Sequence, residues 1–409
     1  MSAWKAAIRT LEKTYRPEVK AGRFLTVLLL AGVSYGLYRG IQDNYLAELV
    51  HISNFERGVV EFFRELPGLL VVVILAIMYR FSENTVFKIS VAIMLLGLVG
   101  LCAGGTGKVP VIFFMVIYSL GEHIMMPARS SLSMRFAKKE TGGASLGLTG
   151  AIGQAGNISG YIIAAVLFAL FARLGYNRND LLSFKSVFFL AAVFGLAAFI
   201  FVLCMNNPAN GGHVQRRHFY FAKKFTKYYF LEVFYGARKQ IFLTFAPYVL
   251  ILQYEADASL ISLLMAICSG FGVVFSPFIG RLIDRIGYKI IMVTDTLILI
   301  AVCFFYGFAH RIFPHHIALI VVCANYVLDS IISLASMASS VYVQDIASNQ
   351  EEITATLSTG ISVNHVISIL IALFGGWIWK ITGIEVLFSI SAFLGLMNTF
   401  YAATIKKKA

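Results

Sequence analysis

The sequence predicts an all-α membrane protein, twelve transmembrane helices in two six-helix bundles, and three observations lead there. Hydrophobic residues make up 58% and charged residues 13% of the 409-residue chain, against about 25% charged in a soluble globular domain. Apolar runs of about 18 residues or more, enough to cross a bilayer, recur along the whole length with short loops between them. The two halves also repeat each other in nearly constant register.

The spans fall at 24–48, 57–79, 87–105, 109–135, 142–172, 184–205, 226–252, 259–281, 288–308, 315–343, 352–379 and 384–405. Residues 1–205 therefore hold a short basic leader and six spans, 206–225 a basic linker, and 226–409 six more, which leaves no room for a separate soluble domain. The formal net charge of +13 is concentrated in three places. Lys5, Arg9, Lys13, Arg16, Lys20 and Arg23 precede span one, "QRRHFYFAKKFTK" joins the halves, and "IKKK" ends the chain. An even number of spans puts all three on one side, and the positive-inside rule makes that side the cytoplasm. Both termini are thus expected in the cytoplasm and the chain in the cell membrane, and nucleic acid is not an expected partner. Trp4, Ile8, Leu11 and Tyr15 have helical spacing with basic residues between, which suits a helix lying on the inner membrane surface or a solvated leader. The five cysteines fall in or beside apolar spans without metal spacing and read as small buried hydrophobes.

The internal repeat is specific. A shift of 200 pairs Tyr35 with Tyr235, Gly36 with Gly236, Arg39 with Lys239 and Ile41 with Ile241; a shift of 201 pairs Arg80 with Arg281, Glu83 with Asp284 and Lys88 with Lys289. Near 210, Thr149-Gly150 meets Thr359-Gly360 and Gln154 meets Asn364. Three matches in nearly constant register indicate two parallel six-span repeats. "GRLIDRIGYK", Gly280 to Lys289, resembles the loop signature of the major facilitator superfamily, with Tyr288 in place of the customary arginine. The resemblance covers the six-plus-six layout of the whole chain and implies rocker-switch alternating access. Read physically, the loop is a latch: Gly280 and Gly287 allow a tight turn, and Asp284, beside Arg285, offers a carboxylate to basic neighbours at a helix end. Alternatively its basic residues only obey the positive-inside rule.

A charge at the centre of a lone span costs about 2.5–3.5 kcal/mol on insertion scales, so intramembrane ionisable residues face the bundle interior or a wet cavity. Helical spacing groups Tyr35, Arg39, Gln42 and Asp43 on span one, Glu61, Arg64 and Glu65 on span two, and Tyr118, Glu122, His123 and Arg129 on span four. It also groups Gln154 and Asn157 on span five, Tyr235, Arg238 and Lys239 on span seven, Asp329 on span ten, and Asn364 and His365 on span eleven. Arg39 lies about 22 Å of helix rise from Phe24 and Lys239 about 16 Å from Tyr228, both near mid-depth. They are read as a pseudo-symmetric pair gripping an anion, with Arg238, Tyr35, Tyr235, Gln42, Gln154, Asn157 and Asn364 as further substrate contacts. The other reading pairs Arg39 with Asp43 and Lys239 with Glu232. Their placement resembles that of the organophosphate:phosphate antiporter branch, whereas span five lacks the Gly-Pro signature of the drug:proton antiporters. Its glycines, Gly147, Gly150, Gly153, Gly156 and Gly160, let a neighbouring helix approach closely.

Glu122, His123, Asp329 and His365 are the candidate proton carriers, since burial brings carboxylate and imidazole toward neutrality. Asp43, Glu61, Arg64 and Glu65 read as a gating salt-bridge network. The metalloprotease helix, the nucleophile elbow and the nucleotide-binding loop do not occur, so neither catalysis nor a cofactor is expected; "HRIFPHH" reads as surface histidines, and no metal is expected. The expectation is secondary active transport of a small, anionic organic solute by a monomer, coupled to protons or to a counter-transported anion. An exporter of lipophiles or lipids and a transporter-like receptor are the alternatives.

Overall fold

A computed structural model describes residues 10–138, 140–205 and 220–405. The leader positions Lys5 and Arg9, with Trp4 and Ile8, most of the linker and the terminal lysines lie outside the described residues. The helices are α1 (Ala21–Asn44), α2 (Asn54–Ile77), α3 (Glu83–Ala103), α4 (Lys108–Phe136), α5 (Gly142–Arg173) and α6 (Leu181–Leu203). They continue with α7 (Thr226–Tyr254), α8 (Ala258–Ile286), α9 (Tyr288–Ile312), α10 (His315–Ile346), α11 (Gln350–Thr382) and α12 (Ile384–Ala403). A π turn at Tyr45–Leu49 extends α1, and α10 tightens to a 3-10 turn at Ser333–Ser336. Among the described residues, ten helices are long and apolar enough to cross a membrane, all of these but α2 and α7.

The chain divides into two compact units. One is Met1–Tyr45 with Leu70–Arg216; the other is Leu46–Leu69 with Arg217–Ala409. The sequence reading placed residues 46–69 in the first half. Packing groups them with the second, because Gly58 lies against the Ala372 carbonyl of α11 and Gly376 of α11 against the Phe55 carbonyl, approaches a side chain would prevent. Tyr248 of α7 donates to the Ile52 carbonyl at 2.9 Å, and Arg57 sits 5.7 Å from the Tyr248 ring centroid. The helix starts at Asn54, three residues before the expected 57, since Ser53 and Glu56 form a reciprocal cap: Ser53 N–H donates to Glu56 at 2.9 Å and Glu56 N–H to Ser53 Oγ at 3.3 Å.

In the first unit, α1 crosses α5 with backbones touching. A Cβ on Gly36 would fall 2.2 Å from the Asn157 carbonyl, and one on Gly156 2.4 Å from the Leu29 carbonyl. Lipid is as apolar as leucine, so close packing rather than exclusion of water holds such helices together. Only part of the glycine row serves: Gly147 and Gly150 have open space around them. Phe24 closes the end of this unit, its ring 5.5 Å from that of Phe87 and 5.3 Å from that of Phe136. Leader residues 10–14 are helical, but Tyr15 is 3% exposed and bridges to Ala137, with Arg16 N–H donating to the Phe136 carbonyl at 3.0 Å. That end of the leader is therefore pinned to the α4–α5 loop, while Trp4 and Ile8, on which the membrane-surface or solvated-leader reading also rests, lie outside the described residues. Asp180 caps α6, accepting from Ser183 N–H at 2.7 Å and Ser183 Oγ at 2.8 Å. Asp180→Ala is expected to cost about 1 kcal/mol, read as a lowered thermal unfolding midpoint.

In the second unit, Tyr228, Leu231, Ile283, Tyr288, Met292 and Tyr342 form a core that joins α7, α8, α9 and α10. The linker's end is anchored to it: Tyr220 N–H donates to Thr359 Oγ1 at 2.9 Å and Tyr220 Oη to Glu352 Oε1 at 2.7 Å. That bond to a carboxylate holds the Tyr220 phenol above its ordinary pKa. The signature stretch also departs from its reading as a loop. α8 runs on through Gly280, Asp284 and Arg285 to Ile286, so the turn is Gly287 alone, at φ 90°. Asp284 is exposed and forms no salt bridge among the described residues. Its counterpart Glu83 opens α3, where it accepts from Ser131 and lies 3.6 Å from Arg135.

Candidate functional site

The densest polar cluster of the second unit lies where α2 meets α7 and α11. Arg57, Glu61, Arg64 and Glu65 recur at helical spacing and so share a face. Arg57 Nη1 donates to Glu61 Oε2 at 2.8 Å, Arg64 Nη2 to Glu61 Oε1 at 2.6 Å, and Arg64 Nη2 also reaches Glu65 Oε1. Arg57 and Glu61 are wholly buried. From α7, Gln240 Nε2 donates to Glu61 at 3.1 Å and to Thr244 Oγ1 at 2.7 Å; from α11, His365 Nδ1 lies 3.0 Å from Glu65 Oε2. Two arginines thus meet two carboxylates, with the imidazole beside the second, Glu65. Glu61, Arg64, Glu65 and His365 were legible from their positions. Arg57 and Gln240 were not: Arg57 fell at an assumed span boundary, although its four-residue spacing to Glu61 was the signal.

A second cluster surrounds Arg238 on α7. This side chain is 3% exposed, and its Nε and Nη1 have no hydrogen-bond partner among the described residues; Nη2 approaches Ser333 Oγ at 3.4 Å. Its guanidinium stands 5.3 Å from the Tyr235 ring centroid and within electrostatic reach of Asp329 and Asp295. Asp295, a lone carboxylate in the apolar run of α9, was missed, though the rule that singled out Asp329 applies to it equally. Lys239 lies within reach of Glu232, which accepts from Ser339 at 3.0 Å and Asn364 at 3.4 Å. Asn364 also fills the space above Gly236, so it belongs to the α7–α11 crossing.

In the first unit, Arg39 and Asp43 stand 3.6 Å apart and are nearly buried. Gln42, between them in sequence, is 1% exposed with neither end of its amide hydrogen-bonded among the described residues. Tyr38 and Tyr118 pack with ring centroids 4.4 Å apart; Tyr35 and Glu122 act electrostatically on Tyr118, and Glu122 on Arg129. His123 lies one turn from Ser119, 2.8 Å from its carbonyl. Asn157, with its amide oriented to satisfy both ends, donates to the Gly32 and Gly153 carbonyls at 3.2 Å, which ties it to the α1–α5 crossing; Gln154 lies 3.3 Å from it.

Buried charge sets on apolar helices define a multi-pass membrane protein, and the fold is that of solved transporters. Over 94% of its length the chain matches 99% of a crystal structure of the nucleoside transporter NupG, at TM-score 0.71 and 14% identity. Over 93% of its length it matches 94% of a POT family transporter in complex with 5-aminolevulinic acid, at 0.74 and 12%, and 94% of a bacterial homologue of the human lysosomal transporter Spinster, at 0.65 and 12%. Comparison with curated proteins found no match. Residues 228–408 match the family model described as Major Facilitator Superfamily.

Proposed function

We propose that the protein is a secondary active transporter that moves a small anionic organic solute through the cell membrane by alternating access. It spans the bilayer twelve times as a monomer, with both termini in the cytoplasm. The observation that carries this reading is Arg238, a buried guanidinium with two nitrogens unbonded among the described residues. A buried donor without an acceptor costs about 1–3 kcal/mol and more when charged, so a partner that comes and goes accounts for it. A carboxylate or phosphate fits the planar fork. Gln42 supports the reading from the first unit, as a buried amide able to donate and accept. Arg39, held by Asp43, and Lys239, near Glu232, contribute field to the solute path. Coupling is assigned to Glu122, His123, Asp329 and His365, and the α2 network with Glu65 acts as the gate.

The test is counterflow of labelled carboxylates and phosphate esters in proteoliposomes. Arg238→Gln should weaken solute affinity by about 10- to 100-fold, the size of a lost charge-assisted bond, and Arg238→Lys should recover part of it. A folded Arg238→Gln protein with wild-type affinity, or a preferred solute that is uncharged or cationic, would overturn the proposal.

A further inference from the structure

Inside the second unit lies a small recess of about 20 Å³, lined by Glu232 and Tyr235 of α7, Asp295 of α9, Ser336 and Ser339 of α10, and Asn398 of α12. We propose that this recess binds one monovalent metal cation of sodium's kind, and that the cation prepares Arg238 for the solute. The second step rests on the anion reading above; the first does not.

Four features favour a cation. The polar groups at the recess are oxygens save for the Asn398 amide nitrogen, and two are carboxylates carried by different helices, the donor set hard cations take. Asn398 Oδ1 is a buried acceptor with no donor among the described residues. α10 gives up regular α-helix for a 3-10 turn at Ser333–Ser336, so the recess is lined where a helix is broken, as at ion sites of membrane transporters generally. Last, three carboxylates, those of Glu232, Asp295 and Asp329, share this part of the bundle with two basic side chains that act on them among the described residues, Arg238 and Lys239.

Asp295 connects the two functions. It lines the recess and also acts on the Arg238 guanidinium, whose two unbonded nitrogens show that no carboxylate touches it directly. A cation on Asp295 and Glu232 neutralises that carboxylate's pull, and the field of Arg238 is then available to an anion. Linkage makes the effect mutual: solute bound at Arg238 raises cation affinity by the same factor.

The test uses the purified full chain without solute, at fixed pH. Thermal unfolding midpoints are measured over a series of sodium chloride concentrations, with choline chloride holding ionic strength constant. A saturable rise with sodium is expected, because a ligand that binds only the folded state stabilises it. Glu232→Gln and Asp295→Asn should each raise the half-saturating concentration by about tenfold or more, while the exposed Glu351→Gln should not. Should the carboxylate variants fail to fold, Ser336→Ala and Ser339→Ala decide, since they keep the charges and remove ligands. Equal midpoints in sodium and choline, or wild-type half-saturation in every folded variant, would overturn the site. Uptake by Arg238→Gln bears on the anion reading alone, so either idea can fail without the other.

Discussion

Replacing Glu61 by alanine is expected to destabilise the protein by about 3–5 kcal/mol, among the largest single effects available in it. Glu61 is wholly buried and accepts from Arg57, Arg64 and Gln240. Its removal takes from the equally buried Arg57 the carboxylate it donates to at 2.8 Å, and a buried ion that loses such a partner forfeits Coulomb energy without regaining water. Glu61→Gln should cost less, since an amide oxygen still accepts from one arginine. The double variant Arg57→Met with Glu61→Leu should recover much of the loss, because two apolar side chains need no partners. Thermal unfolding in detergent compares all three. A Glu61→Ala midpoint equal to wild type would show that the network is satisfied without its central carboxylate.

Gly36→Val should be nearly as damaging. A Cβ at residue 36 lies 2.2 Å from the Asn157 carbonyl and 2.9 Å from Gly160 Cα, and both neighbours are backbone. No rotamer relieves such a contact, so α1 and α5 must separate along a seam that also includes Gly32 and Gly156. Overpacking costs about 1–3 kcal/mol where side chains yield, and the upper end or beyond is expected here. Gly150→Ala is the control. Nothing lies within 4 Å of its Cβ position, and alanine is the better helix former by about 1 kcal/mol. Unfolding midpoints should fall for Gly36→Val and hold or rise for Gly150→Ala; a fall of equal size in both would show that the glycine row acts through flexibility rather than close approach.

The helices were legible because hydrocarbon tolerates little else: a long apolar run has few alternatives to a span. The same intolerance marked Arg39, Glu61, Asp329 and His365 as interior residues. Which of them meet was not legible, since helical spacing reveals the face a residue shares and not the helix opposite. Arg57 was lost because hydropathy places span ends only within a few residues, and a charged flank looks like a boundary. Asp284 was read into a loop because glycines bracket it, yet Gly280 needs no special backbone and the helix continues through it. The grouping of residues 46–69 with the second unit depends on Gly58, Gly376 and Tyr248, contacts between residues about 200–320 positions apart that no local pattern encodes.

That grouping has a consequence for biosynthesis. Residues 46–69 leave the ribosome early, but their packing partners Gln240, Tyr248, His365 and Gly376 come 170 or more positions later. Through that interval Arg57, Glu61, Arg64 and Glu65 can still pair with one another, in a helix whose later residues belong to the first unit. The N-terminal repeat is therefore expected to finish folding only once α11 has been made. Truncation after the first six helices would leave a chain whose second helix lacks its partners on α7 and α11.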